Sequence, residues 1–187
     1  MKNRKFSNFW KSITLIAIIF SAPNIFATEI GNSQIISFLG QKFGAKFNTA
    51  NSKMEELPPN LTGYTFSPGK IFRNFSKCYV LLTPKSKQIY GVYIQSNAET
   101  QSKADDEHRL CVKILEKKYR LTAKKETADF ASEYHVIKFR NGSFIIITPI
   151  GLTTFTTSII CIDNKMVELY GKEKYQVEME KTDTSML

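Results

Sequence analysis

The sequence is poor in the residues that most often build catalytic and metal sites, with two histidines and three cysteines among 187 residues. No two cysteines lie within a few residues of each other, which excludes the paired spacing of a zinc site. The chain also lacks a phosphate-binding glycine loop, a G-x-S-x-G elbow and an H-E-x-x-H motif. The sequence therefore predicts no cofactor and no metal, and it names no reaction.

The clearest functional signal is at the N-terminus. Residues 1–12 carry four basic side chains and no acid, Ile13–Phe20 is apolar except for Thr14, and Ser21–Asn24 then end the apolar run before the small Ala27. This pattern predicts a bacterial secretory signal peptide, residues 1–27, cleaved before Thr28. An uncleaved membrane anchor is the alternative, but it needs about 20 apolar residues. We expect an exported protein, periplasmic or secreted, that meets the membrane only through this signal.

The remaining chain is a single domain of modest charge. Residues 1–27 contain four of the 26 basic residues and none of the 17 acidic ones. The rest of the chain therefore has a net charge of +5. Nucleic-acid binding requires basic residues gathered on one face, so no nucleic-acid partner is predicted. We expect one α+β domain over residues 28–177 and a disordered, charged tail over residues 178–187.

Two hairpins and one helix are strongly indicated. "KCYVLLT" and "QIYGVYIQ" flank the polar turn Pro84–Lys87, and "EYHVIKF" and "SFIIITP" flank Asn141-Gly142, whose turn is expected to have φ > 0 at both residues. Residues 102–120 have the apolar period of a helix, with a capping-box-like start at Ser102 and Asp105 and basic residues at its end.

Weaker patterns complete the predicted fold. Residues 34–43 favour a short helix ending near Phe43, and residues 48–63 have loop composition. "TTFTTSIICID" and "MVELYG" favour a last pair of strands. The prediction is a single antiparallel sheet of about six strands, with one main helix packed across one face and a short N-terminal helix.

Four segments together resemble an uncharacterised family of small exported bacterial α+β domains. They are "FGAKF", "YTFSPGKIF", "CYVLLTPKSKQIYGVYI" and "CVKILEKKY", within residues 38–170. Arg120 stands where members of that family usually have glycine, which puts the helix exit in doubt. The resemblance implies a fold and no activity.

One chemical hypothesis is a small secreted hydrolase or thiol enzyme, using Cys78 or Cys111 with His108 or His135. Asp105, His108 and Cys111 are three residues apart on the main helix, so neighbours in this trio can touch. The alternative is ordinary structure: His108 on the surface beside acidic residues, Cys111 on the apolar stripe, and His135 on the polar face of a strand.

The leading hypothesis is a non-enzymatic binding module for a protein or an envelope component. Its candidate surface is the aromatic segment "YTFSPGKIFRNF", with Tyr64, Phe66, Phe72, Arg73 and Phe75 as the binding residues. The alternative is that these rings close one end of the core. A host-directed effector or adhesin is a further reading that the sequence does not separate from the first.

The three cysteines predict one disulfide in an oxidising compartment. Cys111 lies on the helix stripe expected to face the sheet, and Cys161 lies in the apolar strand Ile159–Ile162. We therefore expect a Cys111–Cys161 disulfide, with Cys78 as the spare thiol. Cys78–Cys161 and Cys78–Cys111 are the rival pairings.

Overall fold

In the described part of the chain, an antiparallel sheet of eight strands carries one long helix on each face. The computed structural model describes residues 34–58, 60–70, 72–128, 132–149 and 155–184. The predicted signal peptide lies outside the described residues. The elements are β1 Ser37–Phe38, β2 Gln41–Lys42, β3 Met54–Leu57, β4 Leu61–Thr65, β5 Phe75–Leu82, β6 Ile89–Ala98, α1 Gln101–Tyr119, β7 Ala123–Ala128, β8 Ser132–Phe139, β9 Gly142–Pro149, β10 Phe155–Asp163 and α2 Asn164–Thr184.

The sheet consists of two four-stranded meanders that meet in its middle. The strand order is β3-β4-β5-β6-β10-β9-β8-β7, and neighbouring strands are antiparallel. Helix α1 carries the chain from β6 in the centre to β7 at the far edge. The α+β class and the antiparallel sheet are confirmed. The predicted six strands and single covering helix are wrong, because four segments, those of β1–β2, β3–β4, β7 and α2, form elements that their composition did not indicate.

The two helices cover opposite faces of the sheet. Because successive residues of a strand point to opposite sides, the central strands contribute side chains to both layers. The layer under α1 includes Cys111 and Leu115 of the helix, with Ile94, Ile159 and Cys161 of the sheet. The layer under α2 includes Met166 and Val167, with Tyr93, Ile160 and Ile162. Ile159–Ile162 is buried on both faces, as predicted for a central strand.

A small hairpin replaces the predicted N-terminal helix. Its turn residues Leu39 and Gly40 have φ of 49° and 82°, a left-handed conformation that ends any helix and suits a tight β-turn. β1 and β2 pair on either side of this turn. Phe38 is buried in the core while Ile36 is 60% exposed, so the apolar residues do not form one helical face.

The predicted loop at residues 48–63 contains the edge hairpin β3–β4. Its loop-like composition reflects the turn, where Asn60 has φ of 66°, rather than an absence of strands. Gly63 lies within β4, and the next strand is close enough there to require glycine. An added Cβ would lie 2.9 Å from the Cβ of Tyr79 on that strand. A glycine required by close strand packing looked like loop composition.

Helix α1 has the predicted position but a different start. Thr100 is the N-cap, and its hydroxyl accepts a hydrogen bond from the Lys103 amide at 3.3 Å. The capping box expected at Ser102 and Asp105 is therefore wrong, and the first turn holds no acidic residue. Arg120 ends the helix at φ 55°, in the left-handed conformation that glycine usually supplies.

The β8–β9 hairpin is confirmed, although its turn geometry differs from the prediction. Phe139 pairs with Gly142, and neither Asn141 nor Gly142 has a positive φ. The Asn141 side chain instead accepts from the Ile35 amide at 2.9 Å and donates to Asp163 Oδ2 at 2.7 Å. This asparagine joins three segments, which explains its place in the turn without the expected φ.

Helix α2 replaces the predicted last strand "MVELYG". Asp163 closes β10 and also caps the helix, because its Oδ1 accepts from the Met166 amide at 3.0 Å. The residues interpreted as a hairpin turn, Asp163–Lys165, are thus a helix start. The helix continues as far as Thr184, through most of residues 178–187, for which the sequence predicts a disordered tail.

Candidate functional site

The candidate aromatic segment mostly closes one end of the core. Phe75 is 1% exposed, and Phe66 and Phe72 are half-buried against the same cluster. Tyr64 is half-buried and packs beside β5 and β6. Of the five candidate residues, Arg73 is the one whose side chain is exposed. The structure therefore packs Phe66, Phe72 and Phe75 against one core cluster and Tyr64 against another, and the five residues do not form a continuous aromatic surface.

Arg73 is held in a defined position by Glu107 of α1. Its Nε donates to Glu107 Oε1 at 2.9 Å, and its Nη2 donates to Oε2 at 3.4 Å. The Glu107 side chain is 13% exposed, and its hydrogen bond raises the pKa of the Arg73 guanidinium. Arg73 also has φ of 50°, which is costly for a side chain with a Cβ and is offset by this bidentate pairing.

The guanidinium borders a recess of about 360 Å³, which we call the Arg73 recess. The loop before β5, the end of β6 and the first half of α1 form its walls. Its lining residues are Arg73, Asn74, Ser96, Asn97, Ala98, Glu99, Lys103, Asp106, Glu107 and Leu110. Two cations and three carboxylates share this small space with two exposed amides.

A second, larger depression of about 560 Å³ lies at the start of α2. Its residues are Phe43, Gly44, Gln88, Asp163, Lys165, Met166, Glu168, Leu169 and Lys172. The Asp163 carboxylate already accepts hydrogen bonds from the Met166 amide and from the Asn141 side chain, so it serves as a structural cap. We call this the α2 depression and treat the Arg73 recess as the better candidate, because more polar groups converge there.

The two histidines meet beneath α1, which the sequence did not indicate. His108 is 3% exposed, and its Nε2 lies 2.7 Å from His135 Nδ1. His135 is half-buried and shares its side of β8 with buried Ile137. The predicted positions, His108 on the surface and His135 on a polar strand face, are wrong. The signal that could have placed His108 inside is its spacing with Ala104, Cys111 and Leu115, the other buried residues of α1.

A chain of hydrogen bonds extends from these rings across the sheet. His108 Nδ1 lies 2.9 Å from Thr148 Oγ1, and Thr148 Oγ1 lies 3.1 Å from Thr157 Oγ1. Thr157 Oγ1 donates to the Ala104 carbonyl at 2.9 Å, which returns the chain to α1. The network fastens the helix to β8, β9 and β10.

The Cys–His nucleophile hypothesis receives no support from this geometry. Both ring nitrogens of His108 are engaged by His135 and Thr148, whereas Cys111 Sγ donates to Glu107 Oε1 at 3.7 Å. Burial first, and then the Glu107 charge, raise the pKa of the Cys111 thiol to about 12. A nucleophilic cysteine requires the opposite shift, toward thiolate at neutral pH.

The predicted Cys111–Cys161 disulfide is wrong, because all three cysteines are free and buried. All three thiols lie in the layer under α1, so the expected proximity to one core is correct. Cys111 Sγ is directed instead to Glu107, one turn earlier on its own helix. Burial also raises the pKa of the Cys78 and Cys161 thiols.

Among the described residues, no group of three or more histidine, cysteine, aspartate or glutamate side chains is placed to hold a metal ion. In the same part of the chain, no helix combines the length and apolar character needed to cross a membrane.

Comparison with known protein families, with curated proteins and with solved structures gave no match to this chain. The resemblance to small exported bacterial α+β domains stays a prediction.

Proposed function

We propose that this protein is an exported, non-enzymatic binding module whose Arg73 recess takes a neutral, polyhydroxylated ligand, such as a saccharide unit of the bacterial envelope. The observation that supports this most directly is the convergence of paired charges and exposed amides in one recess. Export rests on the signal-peptide pattern of residues 1–27.

The charges of the recess favour a neutral ligand over an anion. Arg73 is paired with Glu107, and Lys103 is paired with Glu99. Asp106 is paired with Arg109 at 2.7 Å. Because each charge already has a partner of opposite sign, an anionic ligand would have to displace a carboxylate to reach a cation.

The remaining groups suit hydroxyl-rich molecules. The exposed amides of Asn74 and Asn97 can each donate and accept, as sugar hydroxyls do. Leu110 is 38% exposed beside them and offers an apolar surface to the C–H face of a sugar ring. The site combines a few fixed polar groups with a small apolar wall, as small-molecule sites generally do.

The thiol-enzyme alternative has less support, since the pKa values of all three thiols are raised. The effector or adhesin alternative would use the same recess on a host saccharide. Binding to host glycans rather than to envelope glycans would favour that alternative.

A glycan array carrying neutral and acidic saccharides tests the proposal directly. We expect the mature protein to bind neutral oligosaccharides, and Asn97→Ala to weaken binding about fivefold, which is the effect of losing one hydrogen bond of about 1 kcal/mol. Lys172→Ala in the α2 depression is the matched control and should bind normally. Equal losses in both variants, or binding to acidic glycans alone, would contradict the assignment.

Export is tested separately by intact mass. We expect protein recovered outside the cytoplasm to begin at Thr28, because Ile25 and Ala27 fit the cleavage pattern. Full-length protein confined to the membrane fraction would favour the anchor instead.

A further inference from the structure

We propose that the His108–His135 pair is a pH-sensitive latch that holds α1 on the sheet and thereby sets the shape of the Arg73 recess. The latch itself is inferred from the geometry of the two imidazole rings and does not depend on the proposed function. Its effect on ligand binding rests on the function proposed above. These are the two histidines of the entire sequence, so every histidine signal of the protein reports on this pair.

The hydrogen-bond chain fixes which atoms carry protons in the neutral latch. Thr157 uses its hydrogen on the Ala104 carbonyl, so it accepts from Thr148. Thr148 has then used its own hydrogen and must accept from His108 Nδ1–H. His108 Nε2 is left as an acceptor, and His135 Nδ1–H donates to it at 2.7 Å. The chain therefore runs in one direction, from β8 through α1 to β9 and β10.

The latch tolerates one added proton but not two. One added proton is compatible with the bond from His135 Nδ1–H to His108 Nε2, because a protonated His135 still donates from Nδ1. A second proton on His108 Nε2 would place two N–H donors and two positive charges against each other at 2.7 Å. That state requires the rings to separate, which releases α1 from β8.

Among the described residues, the ionisable ones nearest the two histidines in sequence or strand register lie on α1, β7 and β8. On α1, Glu107 precedes His108 and is bound to Arg73, and Cys111 follows one turn later. On β7, Lys125 lies opposite His135 in the strand register and adds positive charge to that neighbourhood. On β8, Glu133 lies two positions before His135 and opposite Thr148. From β9 and β10 the network receives the neutral hydroxyls of Thr148 and Thr157.

The sign of the pH dependence follows from counting protons. In an unfolded chain both imidazoles take up protons below about pH 6.5. The folded latch holds at most one proton without breaking, so the unfolded state binds more protons and stability falls as the pH falls. A difference of one proton changes the unfolding equilibrium about tenfold per pH unit. Carboxyl groups titrate near about pH 4, so the window from about pH 5 to about pH 6.5 isolates the histidines.

Release of α1 would alter the recess because both structures use the same helix. Lys103, Asp106, Glu107 and Leu110 line the recess from α1, and Glu107 is the residue before His108. A helix that moves away from β8 carries the Glu107 carboxylate with it. The Arg73 pairing therefore weakens when the latch opens.

Urea unfolding between about pH 5 and about pH 7 tests the latch without any ligand. We expect the wild-type unfolding constant to rise about tenfold per pH unit as the pH falls below about 6.5. His135→Gln should flatten this dependence, because an amide can either donate to or accept from His108 Nε2. His108→Gln should do the same if the first variant folds poorly. Parallel pH profiles for wild type and a folded variant would overturn the latch.

Proton NMR of the wild type gives an independent readout that needs no variant. We expect the two imidazole Hε1 signals to titrate unequally, His135 first and His108 only as α1 becomes labile. The Arg73 Nε–H signal should shift in step with His108. Two independent titrations at similar pH, with an unchanged Arg73 signal, would overturn the proposal. Failure of the glycan-array test with a normal latch titration would instead reject the proposed function alone.

Discussion

Gly142 lies where β9 and β10 pack so closely that no side chain fits. An added Cβ there would lie 1.9 Å from the Ile162 carbonyl oxygen and 2.8 Å from the Phe139 ring. We expect Gly142→Ala to lower the free energy of unfolding by about 2 kcal/mol or more, as overpacking of a core does. Urea unfolding measures this, with Gly69→Ala as control, since an added Cβ at Gly69 meets nothing within 4 Å. Equal stability of the two variants would show that the β9–β10 contact is looser than described.

The free thiols give a second prediction for single residues. With a pKa of about 12, the Cys111 thiol is a thiolate in a fraction on the order of 10⁻⁴ near about pH 8. We expect a thiol reagent to label none of the three cysteines of the native protein within minutes, and all three in denaturant. Mass spectrometry counts the labels with and without prior reduction. A cysteine labelled only after reduction would restore the disulfide hypothesis.

Single residues were the hardest part of the site to predict. The sequence shows His108 among acidic neighbours, which favours a surface position, whereas the network that it joins includes His135, Thr148 and Thr157, which lie on three other elements. A buried polar network depends on long-range contacts that no local pattern encodes. The aromatic neighbours of Arg73 predict a binding residue there, yet it is the pairing of Arg73 with Glu107 that defines the recess.

At the scale of elements, Glu173 fixes α2 to the β5–β6 hairpin. Its Oε2 accepts from the backbone amides of Lys85 at 2.6 Å and Ser86 at 3.0 Å, and the residue is 7% exposed. Burial by itself raises the pKa of Glu173, but hydrogen bonds from the Ser86 side chain, from these two amides and from the Thr83 side chain outweigh it, and the pKa is lowered. The charged carboxylate therefore stabilises the contact between helix and turn.

We expect Glu173→Gln to cost about 1–3 kcal/mol of unfolding free energy at neutral pH. A lowered pKa in the folded state means that this contribution is present above the unfolded value of about 4.3 and is lost as the pH falls below it. Unfolding of both proteins from about pH 7 to about pH 3 should show their difference shrinking toward acid. Glu168→Gln, an exposed change on the same helix, is the control. A difference that does not depend on pH would contradict the proposed role of the charge.

Elements with a strong local period were predictable, and the others were not. β5, β6, α1, β8 and β9 combine regular apolar spacing with clear turn residues, and each lies close to its predicted position. "MVELYG" has the composition of a strand. It follows Asp163, which caps a helix through the Met166 amide, and this role cannot be recognised before Met166 is known to be helical. β3 is four residues long and contains adjacent glutamates, so it offers too little alternation to be recognised.

At the scale of the whole molecule, the long sheet exposes one edge at β3 and the other at β7. Unpaired edge strands can add a strand from another copy, and lysines on an edge oppose this. β7 carries exposed Lys124 and Lys125. These charges oppose the pairing of this six-residue edge strand with another copy.

We therefore expect Lys124→Gln combined with Lys125→Gln to increase self-association by removing the edge charges. Light scattering over a concentration series measures this, because added strand pairing depends on protein concentration. Lys113→Gln with Lys117→Gln, two exposed changes on α1, is the matched control that alters the net charge equally. If only the β7 variant associates, the edge is protected locally by its lysines. If both variants associate alike, the overall positive charge rather than the edge keeps the molecules apart.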